Sequence, residues 1–322
     1  MINIGFYTSS TPITVLSPKR FERAQKFLKE NGVKLIPGSL IGKIDGYRSG
    51  SIIERAQEIN ELIHNPEVEI IMATIGGTNT NAVLPYIDYG YLAEHPKTFV
   101  GYSDTTALLL AVATKVPQCR VLYGPALVSS FGEWTPFVEK TWDYFKKVVN
   151  LENDARIILQ APNYWTDEKI NWENFEHEKT VTVNKWHYIK KSVLEGRIIG
   201  GNLNTMYGLI ASEYFPNFTQ DDILLIEDSE KDASIVEKNF AMLKLAGIFD
   251  NIKGIVLGKH ALFDDEGSGK KPIDILQEVL GSKQLPIIYD YDSSHTVPMM
   301  TTPLGTHVRI DAETMSVEFI NY

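Results

Sequence analysis

Thr98-Phe99-Val100-Gly101-Tyr102-Ser103-Asp104-Thr105-Thr106-Ala107-Leu108-Leu109-Leu110 reads as a short buried strand, a tight turn with Ser103 at its apex, and an apolar helix. Such a turn exposes the serine Oγ and aims the positive end of the helix at developing negative charge. It is not the full Gly-x-Ser-x-Gly elbow, because Thr105 stands where the second glycine would be. The plainer alternative is that Ser103 or Asp104 caps the helix, a common use of both residue types. The preceding segments have the same grain. Ile2 to Tyr7 is a buried strand, Ser17 to Asn31 an amphipathic helix stopped by Gly32, and Val33 to Pro37 a second strand. Ser51 to His64 is a second helix, and Glu69 to Thr74 a third strand before Gly76-Gly77. This βαβα series predicts a parallel sheet with helices on both faces and ligand sites at the carboxyl ends of its strands. Gly76-Gly77 and Ser103 both fall at such ends.

After Ser103 the texture changes. Leu151 to Lys191 is polar and weakly periodic and carries Trp165, Trp172 and Trp186. It reads as a linker partly covering a cleft, or as a surface excursion with aromatic anchors. A strand over Gly196 to Leu203 ends in a glycine turn, and a strand over Ile223 to Ile226 ends at Glu227-Asp228. A helix from Ala233 to Ala246, strands at Gly254 to Leu257 and Leu285 to Tyr289, and a hairpin of Thr306 to Ile310 with Ser316 to Ile320 follow. The expected fold is α/β: an N-terminal parallel-sheet domain over residues 1–160 with the nucleophile turn, then a linker and a mixed α/β C-terminal domain over 161–322. The active site would lie in the cleft between them. A length of 322 residues suits two domains of ordinary size.

Composition narrows the function. With 43% hydrophobic and 22% charged residues, the chain can bury a substantial core. A net charge of −10 and the lack of a long Lys/Arg run argue against nucleic acid as a partner. The single cysteine, Cys119, has no disulfide or metal-ligand partner in sequence and reads as a structural thiol. The N-terminus lacks the basic region of a signal peptide, and no run approaches the ~20 apolar residues that span a bilayer. These features predict a cytoplasmic protein with no membrane partner.

A nucleophilic serine needs a base, and the base an orienting acid. Of seven histidines, His64, His95, His177, His187 and His307 read as solvated. His295, in Asp292-Ser293-Ser294-His295-Thr296-Val297-Pro298, sits in a loop of small polar residues beyond a strand, where function often resides. Glu227 emerges at a strand end as Ser103 does, and Asp228 competes for the same role. Gly76-Gly77-Thr78-Asn79 offers unhindered backbone amides that, with the Asp104 N–H, would form an oxyanion hole. A phosphate cradle is the rival reading, although no Gly-Lys-Ser/Thr follows. A non-catalytic two-domain binder, with Ser103 only donating a hydrogen bond, is the competing class.

Taken together, Gly76-Gly77, Gly101-Tyr102-Ser103-Asp104, Gly200-Gly201-Asn202-Leu203, Ile226-Glu227-Asp228 and His295-Thr296-Val297-Pro298 resemble the LD-carboxypeptidase and microcin C immunity family of serine peptidases. The resemblance implies a Ser103, Glu227, His295 triad, an oxyanion held by the amides of Gly77 and Asp104, and a cytoplasmic homodimer. It implies no metal and no organic cofactor. One branch of the family trims murein peptides, and the other hydrolyses aminoacyl or peptidyl nucleotides of the microcin C type. The second is the closer match, through Glu227 to Asp232, Gly258-Lys259-His260 and the tryptophan-bearing linker. The expected substrate is therefore a small peptidyl nucleotide, with a murein peptide as the alternative. Trp172 best matches the residue that stacks on the purine; Trp165 is next, and Trp186 is expected to pack against the second domain. Asn202 and Lys231 complete the expected substrate contacts. Lys231, four residues past Glu227, would pair as a point charge with a phosphoramidate or sulfamate, or be an ordinary partner of Asp228 or Glu230.

Overall fold

The computed structural model describes residues 2–152 and 155–320. Apolar runs bounded by turn residues become two main sheets. The first has the strand order Thr302–Leu304, Arg120–Tyr123, Thr98–Gly101, Ile70–Ala73, Ile2–Tyr7 and Val33–Pro37. Its last five strands are parallel, and Thr302–Leu304 runs antiparallel to Arg120–Tyr123 at the edge. The second sheet is mixed, in the order Ile157–Gln160, Ser316–Ile320, His307–Asp311, Val193–Asn202, Asp222–Glu227, Gly254–Gly258, Ile287–Tyr291 and His187–Ile189. The α/β class, with a parallel N-terminal sheet and a mixed C-terminal one, is the expected one.

Local chemistry sets several of these elements. Helix Ile52–His64 begins on a capping box, with the Glu54 N–H donating to Ser51 Oγ and the Ser51 N–H to Glu54 Oε2. Helix Pro18–Glu30 begins with proline at its first position, where the missing N–H costs nothing. Helix Thr106–Lys115 is buried on every side from Thr106 to Val112, which explains its uniform apolarity: it lies between the two sheets. The sheets meet closely at Gly201, whose φ is 152°; a Cβ there would lie 2.8 Å from Thr106 Cγ2 and 3.0 Å from Tyr123 Cε2. Two strands cross between the halves. Ile157–Gln160, before the boundary expected at residue 160, pairs with Ser316–Ile320 in the second sheet, and Thr302–Leu304 completes the first. Among the described residues no helix is long and apolar enough to cross a membrane. Cys119 is free and buried, and burial pushes its thiol up to about 11.

Candidate active site

Strand Thr98–Gly101 delivers Ser103 into a turn where it takes a φ of 61°, a left-handed conformation that costs a non-glycine residue about 1–2 kcal/mol. Neither Ser103 nor Asp104 caps a helix: no side-chain cap forms at either helical start in this turn. The Asp104 carboxylate instead accepts from the N–H groups of Asn79 (3.0 Å) and Thr80 (2.9 Å) and from Thr80 Oγ1 (2.7 Å). It thereby ties the serine turn to the Gly76-Gly77 loop. Thr105 occupies the space of a second elbow glycine by lying against Gly101, where an added Cβ would be 2.6 Å from Thr105 Cγ2.

The Gly76-Gly77 loop passes directly beside the serine. A Cβ on Gly76 would sit 2.9 Å from Ser103 Oγ and 3.0 Å from the Asp104 nitrogen, so glycine alone leaves that space open. Gly77 has a φ of 149°, and a side chain there would strike Ser10. Ser10 Oγ in turn accepts the Thr78 N–H at 3.0 Å. Behind the loop the buried Arg55 guanidinium donates to Asn79 Oδ1 (2.7 Å), Asn79 O (3.2 Å) and Ser9 O. Glu58, fully buried, accepts from the Thr8 and Leu40 N–H groups, each at 2.9 Å, and burial raises its pKa to about 7.

The second sheet brings Glu227 and His295 together. Parallel pairing places Asn202 beside Glu227 at the carboxyl ends of their strands. Glu227 Oε2 accepts from His295 Nδ1 at 2.6 Å and from the His295 backbone N–H at 3.2 Å. Its Oε1 accepts from the Tyr123 hydroxyl and from Asn202 Nδ2 at 3.2 Å. Burial alone would push Glu227 up, but the His295 imidazole and the Tyr123 and Asn202 hydrogen bonds outweigh it and hold the carboxyl below its ordinary range. For His295, burial would lower the pKa, yet Glu227, with help from Asp228 and Glu230, carries it above the usual value. The Tyr102 ring meets the imidazole edge-on at 4.8 Å, and the Tyr123 hydroxyl accepts the Ser103 N–H at 3.3 Å. These contacts set His295 and Glu227 beside the serine turn. Such an arrangement suits an activated hydroxyl with an oriented, proton-accepting imidazole.

Asp228 has other work. Its carboxylate accepts from Asn202 Nδ2 (3.1 Å), the Asn204 N–H (3.0 Å) and the Ser229 N–H (2.9 Å), and burial raises its pKa. Asn202, expected to touch substrate, is buried. Its amide serves Glu227, Asp228 and Thr205, so it reads as a support for Glu227. Lys231 lies in the loop after Glu227, its carbonyl accepting the Asp264 N–H; the neighbouring Glu230 pairs with Lys169 at 2.6 Å. Tyr123 was not singled out from sequence, although it ends a strand in register with Gly101, and that register is the signal that points to it.

The linker grips both halves. Trp172 lies under the Arg20 guanidinium at 4.1 Å, and the Glu173 carboxylate accepts the Lys19 and Arg20 N–H groups at the start of helix Pro18–Glu30. Arg20 is itself buried and paired with Glu133 at 3.1 Å. Trp165 is instead 5.4 Å from Lys259 Nζ, and its neighbour Thr166 exchanges two backbone bonds with Val297, close to His295. Trp186 is buried, with Nε1 donating to Asp292 Oδ2 at 2.7 Å and its ring against Tyr291. A groove of about 920 Å³ runs between helix Phe137–Val149 and the linker, but none of Ser103, Glu227 and His295 lines it. Chemistry, and not groove size, locates the site. Among the described residues no cluster of His, Cys, Asp and Glu could hold a metal ion.

Residues 4–124 match the family model of the LD-carboxypeptidase N-terminal domain, and residues 195–310 that of the LD-carboxypeptidase C-terminal domain. A Vibrio cholerae protein carrying a carboxypeptidase name is 50% identical over 308 residues, covering 96% of this chain and 92% of that protein. The microcin C7 self-immunity protein of Escherichia coli is 45% identical over 316 residues, covering 98% and 92%. Solved structures of a microcin C7 self-immunity protein, in complex with aspartyl sulfamoyl adenosine or glutamyl sulfamoyl guanosine, superpose with a TM-score of 0.96 at 44% identity, covering 100% of this chain and 96% of those.

Proposed function

Starting from a chain that belongs to the LD-carboxypeptidase family, we propose that it is a serine carboxypeptidase that hydrolyses aminoacyl or peptidyl nucleotides of the microcin C type. Ser103 is the nucleophile, His295 the base and Glu227 the orienting acid. The observation that carries the triad is the 2.6 Å bond from His295 Nδ1 to a buried carboxylate that accepts only from donors. It fixes the tautomer in which Nε2 is free to take a proton. Ser103 Oγ attacks the acyl carbon as its proton moves to Nε2, and the oxyanion settles on the amides of Gly77 and Asp104. Collapse breaks the bond from the acyl carbon to the leaving-group nitrogen, which leaves with the proton from His295. Water, deprotonated by His295, then releases the acyl group from Ser103.

The nucleotide end is assigned to the linker side. Trp172 stacks on the base, with Trp165 second, and Lys231 neutralises the phosphoramidate or sulfamate. This reading is supported by the sulfamoyl nucleosides bound in the relatives' structures. The protein works in the cytoplasm as a homodimer, which light scattering would read as twice the 36.3 kDa chain mass. The murein-peptide alternative is favoured by the LD-carboxypeptidase description of both family models. One assay decides: turnover of an aminoacyl sulfamoyl adenosine beside an L,D-linked murein tetrapeptide, for the wild type and Ser103→Ala. Cleavage of the nucleotide by the wild type alone supports the proposal. Cleavage of the tetrapeptide only transfers the chain to the murein branch, and undiminished turnover by Ser103→Ala rejects the nucleophile.

A further inference from the structure

The nucleophile stands on the first sheet, while the acid and base stand on the second. Their separation must be held to a fraction of an ångström for proton transfer. Tyr123 spans the gap. It ends strand Arg120–Tyr123 of the first sheet, is fully buried, and has its ring against Gly201 of the second. Its hydroxyl meets one group from each side: the Ser103 N–H and Glu227 Oε1. A phenol has a single proton, and a backbone N–H can only donate. The direction of both bonds is therefore fixed: Ser103 N–H donates to the phenol oxygen, and the phenol donates to the carboxylate.

We infer that Tyr123 is a positioning residue that sets the nucleophile turn against the Glu227–His295 pair and keeps the Ser103 N–H out of the oxyanion hole. The inference rests on the triad reading above. With the Ser103 amide engaged, the oxyanion is left to Gly77 and Asp104, beside the space that Gly76 leaves open. With Oε1 held by Tyr123 and Asn202, the Glu227 carboxylate cannot rotate away from the imidazole.

Tyr123→Phe keeps the ring and removes only the hydroxyl. On an aminoacyl sulfamoyl adenosine, kcat should fall about 10- to 100-fold, the loss of one hydrogen bond to a charged group, with KM within about twofold. His295 is faced by Glu227, Asp228, Glu230, His260 and the Tyr102 ring, and of these only Glu227 is altered by the change. Glu227 becomes the stronger partner for the imidazolium, so the acid limb of kcat/KM should move to higher pH. Replacing Tyr123 with 3-fluorotyrosine, a stronger donor of the same shape, should move that limb to lower pH, and it serves if the phenylalanine variant does not fold. A tyrosine that merely packs would lower Tm and leave kcat and the limb where they are; that result overturns the inference. Ser103→Ala in the same preparations separates the two levels. If it keeps turnover, the triad reading itself fails; if it is inactive while both Tyr123 variants match the wild type, only the role of Tyr123 fails.

Discussion

Replacing Glu227 by glutamine keeps its size and changes one oxygen to an NH2, and every group around it responds in a calculable way. Four hydrogen bonds reach the carboxylate, from His295 Nδ1, the His295 N–H, the Tyr123 hydroxyl and Asn202 Nδ2. All four come from donors. If the new NH2 faces Asn202, two donors oppose each other and the Tyr123 hydroxyl must reverse. If it faces His295, Nδ1 must become an acceptor, which moves the ring proton to Nε2 and leaves no base for Ser103. Either way the imidazolium formed in the reaction loses its counter-charge. The comparable loss of a triad carboxylate costs about 10⁴ in kcat, and we expect a fall of about 10³–10⁴, or roughly 4–5.5 kcal/mol, with KM within a few-fold. The unsatisfied buried groups should also cost about 1–3 kcal/mol of stability. Because burial pulls the His295 pKa down and Glu227 pulls it up, the acid limb of the residual activity should move to lower pH. Steady-state kinetics across pH on folded protein, verified by near-UV circular dichroism, tests this. A variant within tenfold of wild-type kcat, or one whose acid limb does not move, refutes the assignment of Glu227.

Trp172→Ala should weaken a nucleotide substrate about 5- to 150-fold in kcat/KM and spare a peptide, since stacking a base is worth roughly 1–3 kcal/mol; equal loss on both would show packing on Arg20 instead. Trp186→Phe should lower stability by about 1.5–3 kcal/mol in urea titration, because Asp292 loses the indole donor, with the ratio between substrates unchanged. Lys231→Ala should raise KM for sulfamoyl nucleosides and leave peptides alone; a uniform effect would make it structural. Glu58, at about 7 in the fold and near 4.5 when unfolded, holds a proton in the native state that the unfolded chain lacks between those values. The Glu58 contribution to the unfolding free energy should therefore decline by about 3 kcal/mol as pH rises from 4.5 to 7, and Glu58→Gln should make the fall in stability over that range shallower by about that amount.

The strands and helices leading to Ser103 were legible because each buried element carries its own periodicity and its own stop. The triad candidates were legible for a related reason: residues at the carboxyl ends of parallel strands converge whatever the distance in sequence. Thr302–Leu304 was not, since three residues give no period and their partner, Arg120–Tyr123, lies about 180 positions away. Nor could sequence assign Asn202. An asparagine beside a glycine turn suits a ligand as well as a carboxylate, and only the register that sets it beside Glu227 separates the two. Tyr123 and Arg55 escaped notice because a buried tyrosine and a helical arginine are ordinary until their partners are known.

Thr302–Leu304 also bears on how the chain is made. A ribosome delivers the chain up to Tyr123, and with it every parallel strand of the first sheet, long before it delivers the strand that covers the outer edge of Arg120–Tyr123. Through nearly 180 residues of synthesis that edge presents unpaired backbone groups to any passing extended segment. The serine turn next to it must wait as well, because the Glu227 that receives the Tyr123 hydroxyl emerges a hundred residues after Tyr123 itself. Nascent chains stalled before residue 302 should hence be protease-sensitive and prone to aggregate, and a fragment ending near residue 160 should be a poor stand-in for the first half of the enzyme. A synthetic peptide carrying Thr302–Leu304 and its flanks would supply the missing edge in trans.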